Sequence, residues 1–152
     1  MKKLALLVLL LGVLVFTGCS VGNKTLSCSK QAYASGLAYT ETDEVYFAGN
    51  SVGKYVIKLK FDLTRYASNT ETFNKMVEAL RLEYSKAIET GVMTSVYPEG
   101  SYVNAIFTIT MDQFDGYLDY ISYDLSAIKK NLYSPTQSKT NFENSGYTCT
   151  LN

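Results

Sequence analysis

The sequence predicts an α+β fold: an antiparallel β-sheet of about five to six strands with two amphipathic helices packed on one face. Three observations predict it. The stretch "KYVIKLKFD" alternates without a break. Tyr55, Ile57, Leu59 and Phe61 point one way, and Lys58, Lys60 and Asp62 point the other, as in a strand with one dry and one wet face. Two segments, 68–91 and 112–132, instead repeat their apolar residues at helical spacing. Finally, "TLSCSK" and "GYTCTL" are short alternating Thr-rich stretches of strand character near the two ends of the domain.

In chain order, a first strand falls near 25–31 and a second over roughly 37–48, after which "GNSVG" turns the chain into the alternating strand. Ser68-x-x-Glu71 reads as a capping box. Phe73, Met76, Val77, Leu80, Tyr84, Ala87 and Ile88 then share one helix face, and Gly91 stands where a C-terminal cap belongs. "VMTSVYPEGSYVNAIFTITM" reads as a hairpin turning at "PEG", with Val103, Ala105, Phe107, Ile109 and Met111 alternating along its second arm. Asp112 caps a second predicted helix with the stripe Phe114, Tyr117, Leu118, Ile121, Leu125, Ile128 and Leu132. "SPTQSKTN" is expected to be a loop, and the strand holding Cys149 closes the domain. There is no internal repeat.

The N-terminus predicts export. Lys2 and Lys3 precede an apolar run from Leu4 to Phe16, too short to span a bilayer as a helix. Residues 1–18 therefore read as a signal peptide. "VFTGC" resembles the lipobox of bacterial lipoproteins, with Phe16 where Leu is commoner. That resemblance implies lipidation at Cys19, a cell-membrane location on the extracytoplasmic face, and attachment through the N-terminal lipid. Residues 19–24 are then lipidated cysteine and short linker, and 25–152 a single extracytoplasmic domain. Loss of Lys2 and Lys3 leaves twelve basic against fourteen acidic residues with no basic stripe. Nucleic acid is not an expected partner.

With Cys19 lipidated, Cys28 and Cys149 are the remaining pair, and export permits a disulfide. Each sits with aliphatic or aromatic neighbours on one face of its stretch, and neighbouring antiparallel strands bring such positions together. Zinc is a poor rival, because the chain has no His and two thiolates are half a site. A catalytic cysteine has no His to act as its base.

The lipobox cysteine, "KTLSCSK", the strand ending "KFDLTRY", the helix "TFNKMVEALRLEYSKAIE", the hairpin after "GV" and the terminal "FENSGYTC" together resemble the YehR-like small bacterial lipoproteins. The likeness covers nearly the whole mature chain. It implies the fold and the anchoring, and brings no catalytic residues with it.

Candidate chemistry is sparse. Ser27–Lys30 and Ser126–Lys129 match Ser-x-x-Lys, but the companion motifs of the penicillin-binding enzymes are absent. The acids of "ETDE" (Glu41 to Glu44) are expected on a strand or hairpin edge, where charge discourages edge pairing. Asp112, Asp115 and Asp119 are expected in the solvated first turns of the second helix. Neither cluster has calcium-loop spacing, so no metal and no cofactor is expected. Tyrosine is abundant, thirteen against no Trp. Tyr55, Tyr84 and Tyr117 lie on core-facing stripes, whereas Tyr33, Tyr39, Tyr46, Tyr97 and Tyr102 are candidates for a contact surface.

Three function classes follow. The leading one is a non-enzymatic anchored module of the cell envelope that binds an envelope protein or cell-wall component. The alternatives are a small carboxylate-dependent envelope hydrolase and a purely structural lipoprotein.

Overall fold

A computed structural model of the chain describes residues 23–85, 91–112 and 134–152. The signal segment, Cys19, most of the linker and the helix expected from Asp112 to Leu132 fall outside the described residues, apart from Asp112 itself.

Three strands of equal length follow one another: β1 (Asn23–Ala34), β2 (Leu37–Ala48) and β3 (Ser51–Asp62). All three outrun or match the stretches their alternation predicts. Two-residue turns join them. At the first, Ser35 and Gly36 both have positive φ, 51° and 77°, the conformation that suits the twist of a tight hairpin. "GNSVG" is accordingly mostly strand, with only Gly49 and Asn50 in the turn and a register shift at Tyr46/Phe47.

A second hairpin pairs β4 (Val92–Glu99) with β5 (Tyr102–Thr110). Its turn is Gly100–Ser101, so Pro98 and Glu99 belong to β4 rather than to the turn. Proline is tolerated there because β4 is an edge strand. A short strand, β6 (Thr148–Leu151), ends the chain. The six strands form one antiparallel sheet in the order β4-β5-β3-β2-β1-β6.

Helix α1 (Thr70–Tyr84) is capped by Asn69, whose side chain accepts the Thr72 N–H at 3.0 Å. The expected Ser68–Glu71 box is thus displaced by one residue. Asn caps as well as Ser, and Glu71 pairs with Lys75 along the helix instead. The described helix ends at Tyr84 with Ser85 as its C-cap; Ala87 and Ile88 lie outside the described residues, and Gly91 stands in the turn just before β4. Val77 is buried, with Phe73, Met76, Leu80 and Tyr84 packed beside it. The Tyr84 ring stacks on Phe61 and meets Phe107 edge-on, at 5.8 and 5.5 Å.

The stretch expected to be a loop is helix α2 (Pro135–Asn144). Ser134 accepts the Gln137 N–H at 3.3 Å, and Pro135 sits in the first turn, where its missing N–H costs nothing. Among the described residues, both helices pack on the apolar side of the sheet, α1 at the β4–β5 end and α2 at the β1–β6 end. Tyr55, Ile57, Phe107 and Ile109 are fully buried there. Each such side chain contributes about 1.5–3 kcal/mol by leaving water. No described helix is long and apolar enough to cross a membrane.

Candidate functional site

The dry face contains a buried polar cluster at the β1–β2 junction. Alternation along β2 sends Leu37, Tyr39, Glu41, Asp43, Val45 and Phe47 to the helix side. Glu41 and Asp43 are therefore in the interior of a central strand, 1% and 0% exposed, and not on a charged edge as expected. Tyr55 of β3, diagonal to Asp43, donates its hydroxyl to Asp43 Oδ1. Tyr147, just before β6, donates to Glu41 Oε1 at 2.7 Å. Lys30 stands directly opposite Glu41 on β1, its Nζ 3.6 Å from Oε2 and 4.2 Å from the centre of the Tyr147 ring. Only Lys30 reaches solvent, at 31% exposure.

Two carboxylates face one cation. Glu41 Oε2 and Asp43 Oδ2 are buried without a hydrogen-bond partner, a costly arrangement if both groups are charged. Burial pushes the Asp43 carboxyl up to about 7, against the Tyr55 hydrogen bond, which favours the charged form. The neighbouring charge of Glu41 raises it further, and the two side chains are within hydrogen-bonding reach. A proton on Asp43 turns an orphan acceptor into a donor. Burial and the charge of Asp43 push both the Tyr55 and the Tyr147 hydroxyls far up, so both stay donors. Both carboxyls are buried, so a proton held by this pair is held inside the core. Among the described residues, no three His, Cys, Asp or Glu side chains converge as metal ligands.

Cys28 and Cys149 form a disulfide beside this cluster, with Cα atoms 4.1 Å apart. Cys28 lies opposite Asp43 on one side and Cys149 on the other. Thr25 and Asn152 exchange both backbone bonds. The alternation puts Cys28–Cys149 in a non-hydrogen-bonded pair, where antiparallel strands approach most closely.

The opposite face gathers four of the five candidate tyrosines. Tyr39 is the exception. It faces the core and packs on Phe61 at 5.2 Å, because its position in β2 shares the parity of Leu37 and Val45. Tyr33, Tyr97 and Tyr102 are 80%, 44% and 38% exposed on the outer face. Tyr46, also there, donates to Glu44 at 2.8 Å and lies 3.9 Å under Lys54. Lys58 binds Glu44 at 2.5 Å. Burial alone raises the Glu44 carboxyl, but the Lys58 and Tyr46 hydrogen bonds outweigh it and hold it below its ordinary value.

Register sorts the outer face into rows across the strands. The last row, at the β1–β2 turn, runs Glu99, Tyr102, Asp62, Ala38, Tyr33. The next runs Tyr97, Asn104, Lys60, Thr40, Gln31. Between these rows lies an open groove of about 390 Å³, with Gln31, Ala38, Thr40, Lys60, Asp62 and Tyr102 on its walls and floor. Lys60 Nζ sits 4.5 Å from the centre of the Tyr102 ring.

No family model and no curated protein matches the chain. Solved structures similar to it include the NMR structure of a protein from Streptococcus pneumoniae TIGR4, at 12% identity, 90% coverage of each chain and a TM-score of 0.49. Another is the NMR structure of the E. coli YehR protein, at 20% identity, covering 84% of this chain and 92% of that one, with a TM-score of 0.47.

Among the described residues, the Ser27–Lys30 pair does not assemble, because the two side chains point to opposite faces of β1. Ser126, Lys129, Asp115 and Asp119 lie outside the described residues. The groove residues Gln31, Thr40, Lys60 and Tyr102 carry no motif. Only cross-strand register brings them together.

Proposed function

We propose that this chain is a lipid-anchored extracytoplasmic protein, lipidated at Cys19, that acts as a non-enzymatic interaction module of the cell envelope. Its contact surface is the outer sheet face. The observation that carries the reading is the exposure of Tyr33, Tyr97 and Tyr102 on two adjacent rows of the sheet face away from the two described helices, with Tyr102 in the wall of the groove. Exposed tyrosines combine apolar area with a polar tip at little conformational cost, which suits adaptable contact. The burial of Glu41 and Asp43 supports a structural rather than catalytic use of this carboxyl pair.

Photo-crosslinking on intact cells tests the surface. A benzophenone side chain placed at Tyr97 is expected to capture an envelope component. The same group at Leu82, 58% exposed on α1, is expected to capture nothing specific. Equal capture from both, or none from Tyr97, overturns the reading.

The anchor has its own test. Cys19→Ser is expected to release the protein from membranes or leave it as an uncleaved precursor on cell fractionation. A variant that stays membrane-bound at its mature mass refutes the lipid anchor.

A further inference from the structure

We propose that the groove at the β1–β2 turn binds an uncharged glycan, with a sugar ring laid against Tyr102 and the chain running across the strands. The proposal rests on the reading of the outer face as the contact surface, and names what that surface takes.

The charges at the groove cancel. Lys60 and Asp62 are the two ionic groups on its walls. Beyond the walls, the Glu99 carboxylate at the end of the row is matched in number by the Arg65 guanidinium, which is bonded to Gly36 at the β1–β2 turn and acts on Asp62. Two charges of each sign leave little net attraction for an anion or a cation. What the groove offers is a balance of donors and acceptors. Gln31 gives its amide N–H to Thr40 Oγ1 at 2.9 Å, which leaves its carbonyl oxygen as an acceptor. Asp62 accepts the Thr64 N–H at 2.9 Å and also the Thr64 hydroxyl, and a carboxylate has about four lone-pair sites, so acceptor capacity is left over. Lys60 supplies donors. Hydroxyl groups, each both donor and acceptor, fit such a set better than a group with one character.

The apolar element is the half-exposed Tyr102 ring. The Lys60 ammonium over one of its faces favours one ring orientation, leaves the other face for contact, and reduces the freedom lost on binding. Sugar rings present C–H faces of matching flatness. Ala38 and Thr40 on the floor are small, so the surface dips between the larger side chains of Tyr102 and Gln31. The volume of about 390 Å³ is at the lower end for ligand sites, enough for a short stretch of a longer polymer.

An extended peptide is the weaker fit. The backbone groups of β2, β3 and β5 beneath the groove are committed to the sheet ladder, so a peptide main chain has no edge to join. Position also favours a polymer outside the membrane. Gln31 lies eight residues along β1 from Asn23, about 26 Å at the rise of a strand, so the groove is at the end of β1 remote from the proposed anchor.

The test is an NMR titration of the purified ¹⁵N-labelled protein in detergent micelles with chitotriose and with cellotriose, using trialanine and inorganic phosphate as controls. Amide shifts confined to Gln31, Thr40, Lys60 and Tyr102 are expected with a saccharide and not with the controls. Tyr102→Ala is expected to weaken binding about tenfold or more, and Tyr102→Phe to retain it. Leu82→Ala, on α1 and away from the outer sheet face, is expected to leave binding unchanged. Tyr102 is exposed, and the unperturbed spectrum of each variant reports its folding. Absence of shifts with both saccharides, equal shifts with a control, or a loss of binding in Leu82→Ala matching that in Tyr102→Ala overturns the proposal. If the saccharides fail while crosslinking from Tyr97 captures an envelope protein, the glycan assignment falls and the contact surface stands. If both fail, both fall.

Discussion

Asp43 lies between Cys28 and Ile57 in the sheet, with Tyr55 below it and Glu41 two residues away. Its carboxyl is titrated by the fold itself. The native state holds a proton up to about pH 7, whereas an unfolded Asp releases it near 3.9. Between those values the native state binds more protons, so stability is highest at the acid end and falls as pH rises through about 7. The slope reaches at most about 1.4 kcal/mol per pH unit for one proton. Glu44 and Asp62, held below their ordinary values by hydrogen bonds, act with the opposite sign, but only below about pH 4–5. Urea unfolding midpoints are therefore expected to decline between pH 5 and pH 8 in wild type, and Asp43→Asn to flatten that decline. A midpoint rising across this range, or an unchanged slope in the variant, contradicts the assignment. The parity that buries Asp43 was readable in the sequence: Leu37, Val45 and Phe47 share its alternation. The charge of "ETDE" invites a solvated reading of residues whose partners, Tyr55, Tyr147 and Lys30, come from three other segments.

Elements with a continuous stripe were readable, and elements made by their ends were not. β3 and β5 alternate over most of their length, and α1 repeats its apolar residues every three to four positions, so burial on one face follows directly. α2 is polar nearly throughout, "PTQSKTNFEN", with Pro135 and Ser138 buried. Its helical state depends on its start, where Ser134 caps and Pro135 has the right φ already, and on Phe142 packing edge-on to Tyr147 at 5.1 Å. Without an apolar stripe the cap carries a larger share of its stability. Ser134→Ala is expected to cost about 1 kcal/mol in chemical denaturation, and Ser134→Asp to restore most of it. An Ala variant as stable as wild type shows that the bond to Gln137 contributes nothing. The same logic explains the displaced cap of α1. Ser68 and Asn69 are both good capping residues, and backbone geometry chose between them.

At the scale of the molecule, the sheet order brings the first and last strands side by side, so the chain closes on itself. The C-terminal piece is attached lightly. β6 has four residues, α2 rests on the β1–β6 end, and beyond packing the ties are the short β1–β6 ladder with the Thr25–Asn152 pair of backbone bonds, the Tyr147–Glu41 bond and the Cys28–Cys149 disulfide. The bridge joins residues 121 apart, so in the chain-entropy account it restricts the unfolded state by about 4–5 kcal/mol. That is a large fraction of the roughly 5–15 kcal/mol typical of a domain. The double variant Cys28→Ser, Cys149→Ser is therefore expected to unfold at clearly lower urea concentration while keeping its sheet. The loss should also have a place. The β3–β5 core owes nothing local to the bridge, whereas α2 and β6 lose the covalent tie that holds them to β1. Amide exchange in the double variant is expected to accelerate first and most in residues 135–151, with β3 and β5 exchanging only by global unfolding. An unchanged urea midpoint denies the bridge its stabilising role. Uniform acceleration over the whole sheet denies that the C-terminal piece opens by itself, and leaves a domain that unfolds as one unit.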